Sequence, residues 1–292
     1  DGDRRGYTDD TRKRYPLRQL QHTKKPEREQ RAERDNQLLR KQSPAERVDR
    51  HSAVDEPDGD HDARNARGKR RGVAKGSRRP RSRFGGALEP LSRVEVTYFE
   101  RERRELVSLS DAELLASPLW RGRDEALCHA GYFAELLDEC APEGDADERL
   151  YRLGSSAIDA LGAGVAVEPL ARYFEYWLLR LQGVYPARLA CAACGAALGG
   201  GSGPAAALLP GERAYCCGAC AAAAGSRAFV LSGEAVGFLR ASAAVGPERL
   251  GQFPVSARAL RELEAAHRAL IAVHLEKDVR SARVLREIRG PS

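Results

Sequence analysis

The chain has no methionine at any of its 292 positions, only two tryptophans, and no apolar run approaching the length of a membrane span. Without a methionine even at position 1, the natural start is expected to be missing, processed away or placed at another codon. No charged-apolar-small leader precedes the folded region, so the cytoplasm is the expected compartment, with nucleoid association if the ligand is DNA. Also missing are a P-loop, a GxGxxG after a strand, an HExxH and a nucleophile elbow. The six histidines are scattered; His129, His267 and His274 fall within helical patterns as packed or partly exposed residues. The acidic residues sit on charged helical faces and form no paired-carboxylate site. These absences describe a binding protein and not an enzyme.

What is present is local. The balance of 48 Lys+Arg against 42 Asp+Glu leaves a net charge of only +6, so partners are to be sought for a patch and not for the whole surface. That patch is Lys69–Arg83, with eight Lys/Arg and no Asp or Glu, glycines between the charges, and Phe84 closing the run. Such a segment can neutralise several phosphates while leaving an aromatic face for a base. A solvated basic loop is the plainer alternative. Lys75, Arg78, Arg79, Arg81 and Arg83 are the candidate phosphate contacts. Phe84 is either a stacking platform or a core anchor. Lys277, Arg280 and Arg283 make a second basic cluster on the last helix, either a further DNA contact or, the favoured reading, charge complementing a helix C-terminus.

Residues 1–68 contain only eight Val, Leu, Ile, Phe, Tyr or Trp, without period, and are expected to lack stable structure. At Val94 the pattern changes. Val94–Phe99 alternates, Glu100–Arg104 makes a turn, and Leu106–Leu109 resumes an extended pattern, which predicts a β-hairpin. Ser110 with Glu113 then has the spacing of a capping box that opens a helix. Helices are expected over Asp124–Cys140 (Leu127, Phe133, Leu136, Leu137), Asp147–Leu161, Val165–Gln182, Ser232–Ala241, Ser256–Leu275 and Val279–Ile288. Gly199–Pro210 reads as a flexible connection.

Seven cysteines, four in CxxC pairs, suit metal binding in a reducing compartment better than a disulfide framework. Cys191-x-x-Cys194 and Cys217-x-x-Cys220 have the spacing of a four-thiolate zinc site, with Gly195 and Gly218 permitting tight turns. A redox dithiol or two unrelated turns are the alternatives. Four thiolates leave no position for water, so the ion would stabilise and not catalyse. Cys128 and Cys140 fall on an apolar helical pattern and read as core.

Val73-Ala74-Lys75-Gly76-Ser77-Arg78-Arg79-Pro80-Arg81-Ser82-Arg83-Phe84-Gly85-Gly86-Ala87-Leu88-Glu89-Pro90 resembles the V-A-K-G-x-R-R-x-x-S-R-F-G-G-x-L-E-P segment of the bacterial RecO family. The CxxCG…CxxC insertion and His274-Leu275-Glu276-Lys277 with Ser281 and Leu285 are similar to further family motifs in the right order. The resemblance spans about Lys69 to Ile288. It implies an α+β fold: an N-terminal OB-fold-like β-barrel crossed by the basic segment, followed by an all-α helical domain with a four-cysteine zinc-binding insertion. It also implies DNA repair and recombination. Such a protein binds and anneals single-stranded DNA, acts on strands coated with single-strand binding protein, and with RecR helps load RecA.

The expected division is 1–68 atypical, 69–110 barrel remnant, and 111–292 helical with the insertion at 188–224. The strands that should precede the basic segment fall where the sequence is unpatterned. That makes an incomplete barrel, and out-of-frame translation of the region around Glu56–Arg67, the expectation there. A zinc-stabilised regulator of duplex DNA and a zinc or thiol enzyme are the competing functions.

Overall fold

A computed structural model describes residues 15–17, 20–21, 68–77, 81–100, 106–118, 124–143, 146–186, 188–198, 206–224 and 228–289. Five strands form one sheet: β1 (Tyr15–Leu17), β2 (Leu20–Gln21), β3 (Arg70–Val73), β4 (Arg93–Phe99) and β5 (Leu106–Ala116), in the order β1-β3-β5-β4-β2. β3 runs parallel to the central β5, and β4 runs antiparallel to it. Two strands thus lie within the segment expected to lack structure; the stretch read as out of frame lies outside the described residues.

The hairpin β4–β5 is present, but the helix expected at Ser110 is not. β5 continues through Ser110 and Glu113, and Thr97 pairs with Asp111 as Val94 pairs with Leu114. Two register shifts explain the misreading. Tyr98 pairs with Leu109 and Thr97 with Asp111, so Ser110 is an extra residue on β5, and Leu115 is another near its end. Each bulge breaks the period of two. Leu109 and Ala112 can therefore both face the core, at a spacing that mimics a helix. Ser110 Oγ donates to the Thr97 carbonyl at 3.1 Å and caps nothing. Phe84, Ala87, Val94, Val96, Val107, Leu109 and Ala112 close one face of the sheet as a small core.

The helical body contains α1 (Asp124–Cys140), α2 (Glu148–Ala163), α3 (Val167–Leu181), α5 (Gly233–Ala244), α6 (Ala257–Leu275) and α7 (Arg280–Arg289), with a 3₁₀ turn at Pro247–Gln252. The short helix α4 (Gly218–Ala224) belongs to the insertion. Local chemistry sets the boundaries. Asp147, Ser232 and Ser256 accept hydrogen bonds from the backbone N–H three residues on, as N-caps do. Gly164 ends α2 at φ 79°, a left-handed conformation that glycine adopts without a Cβ penalty.

Phe133 of α1 stacks on Phe174 of α3 with ring centres 4.3 Å apart, both fully buried; each such side chain contributes about 1.5–3 kcal/mol. Leu127, expected on this face, is 38% exposed because α1 turns the smaller Ala126, Ala130 and Ala134 inward. Leu91 and Ala116, from the sheet side, are buried in this second core, so the two parts share packing.

Polar groups also lie inside the bundle. The Arg172 guanidinium donates to Glu175 Oε1 at 2.8 Å, and Tyr132 O–H donates to the same oxygen at 2.8 Å. His267 Nδ1 lies 3.0 Å from Glu175 Oε2, and its Nε2 is 3.1 Å from Tyr185 Oη. Burial holds His267 below its ordinary pKa, so the ring is neutral. Nδ1–H then donates to Glu175, and Nε2 accepts from Tyr185. Burial alone would raise the Glu175 carboxyl; Arg172, His267 and Tyr132 outweigh it and bring the pKa below its usual value. The expectation that acidic residues stay on charged faces fails here.

Candidate nucleic-acid and metal sites

The basic run divides into two kinds of residue. Its first three cations are engaged: Lys69 Nζ lies 3.2 Å from the Asp138 carboxylate, Arg70 3.7 Å from Glu100, and Arg71 2.8 Å from Glu143. Lys69 and Arg71 thereby fasten β3 to the end of α1 and the segment after it. Lys75, Arg81 and Arg83 are exposed and form no ion pair among the described residues. Arg78 and Arg79 lie outside the described residues.

The path of the chain follows from its sequence. Gly76, at φ 81°, sits in a turn closed by Ser77 N–H to the Ala74 carbonyl at 3.3 Å. Further on, Ser82 Oγ accepts from Phe84 N–H, and successive turns run to Ser92. Phe84 anchors this path. It is 2% exposed in the sheet core, with the Arg83 guanidinium 5.1 Å from its ring centre. Of the two roles left open by the sequence, the core anchor is the one its burial allows.

The second basic cluster is differently placed from its expectation. Arg280 and Arg283 lie in the first turn of α7, at the helix N-terminus, where a positive charge gains nothing from the dipole. Lys277 pairs with Glu139 at 2.5 Å and Arg283 with Glu287 at 3.8 Å. The Glu135 carboxylate from α1 accepts from the N–H groups of Arg280 (3.1 Å) and Ser281 (2.8 Å). A groove of about 570 Å³ between these helices has walls of mixed charge.

The cysteines converge. The sulfurs of Cys191, Cys194, Cys217 and Cys220 all lie within 4.8 Å of one another, with Cys194 and Cys217 3.9 Å apart. Zn–S bonds of about 2.3 Å at tetrahedral angles require sulfurs about 3.8 Å apart, so the cluster is compatible with a structural zinc site. Two turns build it. Gly195, at φ 75°, returns its N–H to the Cys191 carbonyl at 2.9 Å, while Cys217 precedes α4 and Cys220 sits in its first turn.

Backbone N–H groups of Cys217, Cys194 and Ala193 pull the Cys191 thiol down to about 6. Hydrogen bonds shared with Cys217, Cys191 and Cys194 push Cys220 up to about 12. A dication removes this conflict by letting all four ionise.

The surroundings differ from a flexible insertion. A three-stranded sheet, order β7-β6-β8, comprises β6 (Ala206–Leu209), β7 (Ala214–Cys216) and β8 (Phe229–Leu231). β6 lies inside the stretch read as a linker. All four of its residues are buried, because Ala-Ala-Leu-Leu is a central strand covered on both faces. Cys128 and Cys140 pack against the main core, as expected.

No helix among the described residues is long and apolar enough to cross a membrane. The family models for the N-terminal and C-terminal regions of recombination protein O match residues 65–118 and 124–283. A DNA repair protein RecO of Geobacter metallireducens is 34% identical over 226 residues, covering 76% of this chain and 86% of that protein. The Anaeromyxobacter sp. strain K protein of the same name is 33% identical, covering 77% and 87%. The Koribacter versatilis protein is 40% identical over 131 residues, 44% of this chain. The match spans about half the length of the Koribacter protein and of its Geobacter sulfurreducens counterpart. With a C-terminal model covering more than half of the chain and an N-terminal model meeting it at the end of β5, this chain belongs to the RecO family.

Proposed function

We propose that this chain is a non-catalytic DNA repair and recombination mediator. It binds and anneals single-stranded DNA, acts on strands coated with single-strand binding protein, and with RecR helps load RecA. The observation that carries this reading is the exposure of Lys75, Arg81 and Arg83 on a segment pinned to the sheet by Phe84 and free of ion-pair partners among the described residues. Arg78 and Arg79 belong to the same contact surface by sequence. Zinc at Cys191, Cys194, Cys217 and Cys220 holds the helical part together and takes no part in chemistry.

The sheet order supports an OB-like barrel as the DNA-binding unit. β1 and β2 occupy opposite edges of the five strands, which in a flat sheet lie about 19 Å apart. Leu17 and Leu20 are three residues apart in the chain, a reach of only about 11 Å. That short reach favours a curled sheet, although among the described residues β1 and β2 pair only with β3 and β4 and no closure is formed. The division we propose is a barrel unit carrying the basic segment, followed from residue 111 by a helical domain; β5 carries the sheet six residues past that boundary.

Two measurements test the reading. Added to complementary oligonucleotides coated with single-strand binding protein, the chain is expected to accelerate annealing, read by fluorescence transfer. Replacing Lys75, Arg81 and Arg83 together by Ala is expected to weaken single-strand binding equally for all sequences. It should also lower the slope of log K against log salt by about 2, at about 0.7 per phosphate contact. An unchanged slope sinks the assignment, and a preference for duplex in competition turns it into a duplex regulator.

A further inference from the structure

The RecO-like reading leaves the base-contacting surface without an aromatic, since Phe84 is spent on the core. The sheet supplies another. Val73 of β3 pairs with Ser108 of β5, and Phe99 of β4 pairs with the same Ser108. The three residues therefore form one row across three strands. Their neighbours Val107 and Leu109 are buried, so the row faces away from the small core. It is open: Phe99 is 51% exposed and Val73 41%.

An exposed phenylalanine next to an exposed valine on a sheet face is costly to leave in water, and what lies around the pair indicates the occupant. Val73 ends β3, and the basic turn begins two residues later at Lys75. Two strand spacings plus two residues place the backbone of Lys75 no more than about 17 Å from that of Phe99. Glu100, the carboxylate beside Phe99, is paired with Arg70. Arg71, on the same face as Val73, adds a second cation, itself paired with Glu143. Asp111, opposite Thr97, stands in the next row of the same face, and the acidic pair Glu95 and Glu113 lies one row beyond it, across from each other.

An aromatic ring with Arg71 and the Lys75 turn on one side, Glu100 paired with Arg70, and the acidic residues of the face set off along the strands on the other, suits a nucleobase whose phosphates run into the basic turn. We infer that Phe99 is the stacking platform for a base of single-stranded DNA, with Val73 and Ser108 as the floor beside it. This inference rests on the single-strand binding proposed above. Phe99 lies on the opposite face of the sheet from Phe84, so one aromatic builds the unit and the other reads the ligand.

The test uses the full chain with Phe99→Ala and Phe99→Tyr, each checked for zinc content and thermal midpoint against the parent. Binding is measured by anisotropy to a labelled oligothymidylate and to an abasic phosphodiester of equal length. Phe99→Ala is expected to weaken oligothymidylate binding by about tenfold, within the range for one lost stack, and to leave abasic binding and the salt slope unchanged. Phe99→Tyr should bind like the parent. Equal affinities for parent and Phe99→Ala on both probes overturn the platform while leaving the phosphate contacts standing. So does a variant that loses a protein partner but not DNA, since the face would then be a protein-docking surface. A parent that binds neither probe at low salt removes the single-strand reading itself, and this inference with it.

Discussion

Replacing Cys191 by Ser is expected to abolish stoichiometric zinc and to destabilise the chain by more than about 4 kcal/mol, the scale on which loss of a structural metal is felt. For a domain of this size that corresponds to a fall of roughly 8–16 °C in thermal midpoint. The effect is large because the site is not an appendage. Cys191 is itself buried in the main core, together with Leu198, Leu208 and Tyr215 from the insertion. Arg240 of α5 donates to the Leu198 carbonyl at 2.8 Å, and Glu262 of α6 accepts from Ser232 N–H, just after β8, at 2.8 Å. Cys216→Ser is the control. That thiol is buried beside Cys217 but stands outside the four-sulfur cluster, so zinc should remain. Metal retained in Cys191→Ser, or lost in Cys216→Ser alone, means that the ligand set is wrong.

Glu175→Ala is expected to cost about 3–5 kcal/mol in urea unfolding, because it strands a buried cation. Arg172 is 3% exposed, and the other carboxylate it pairs with, Glu264, is 3.7 Å away. Replacing both Arg172 and Glu175 with apolar residues of similar volume should recover most of that loss. If the single change is harmless, the network carries no stability.

The same network makes the fold acid-sensitive. His267 and Glu175 both have lowered pKa values in the folded state, so the unfolded chain binds more protons. Stability is fully present above about pH 6.5. It begins to fall as His267 is forced toward charge, and falls again below about pH 4.5 as Glu175 protonates. Urea midpoints measured from pH 4 to 7.5 should rise monotonically. A midpoint independent of pH removes the role of His267.

The helical body was legible in the sequence because its apolar spacing, caps and stops agree. Asp147, Ser232 and Ser256 mark their helix starts within a residue. The cysteine site was legible because two CxxC turns constrain four sulfurs locally. The failures have one physical theme: tertiary pairing overrides a local pattern. Ser110-x-x-Glu113 spells a capping box, but β4 captures the segment through two bulges. Ala206–Leu209 looks like linker composition, yet two neighbouring strands and a hydrophobic cover make it a central strand. Glu175 looks like a surface carboxylate because its partners Tyr132 and His267 are 43 and 92 residues away in sequence. Phe99 was visible only as one member of an alternating strand; register alone shows that it shares an open face with Val73.

The carboxylate of Glu135 has a consequence for motion. α7 buries Leu285 and Val279 precedes it in the core, but Val284 and Ile288 are 46% and 61% exposed. Little apolar area holds this helix to the body, and its first turn hangs on Glu135 through two backbone N–H groups and the Ser281 hydroxyl. An element with few buried contacts, held at its first turn by such a polar latch, opens on its own, below the free energy of global unfolding. In native-state hydrogen exchange, the amides of α7 should therefore lose protection ahead of those of α3. Glu135→Gln should speed that loss without moving the exchange of α3, which would make the end of this chain a separable, fast-opening unit on a slowly opening core.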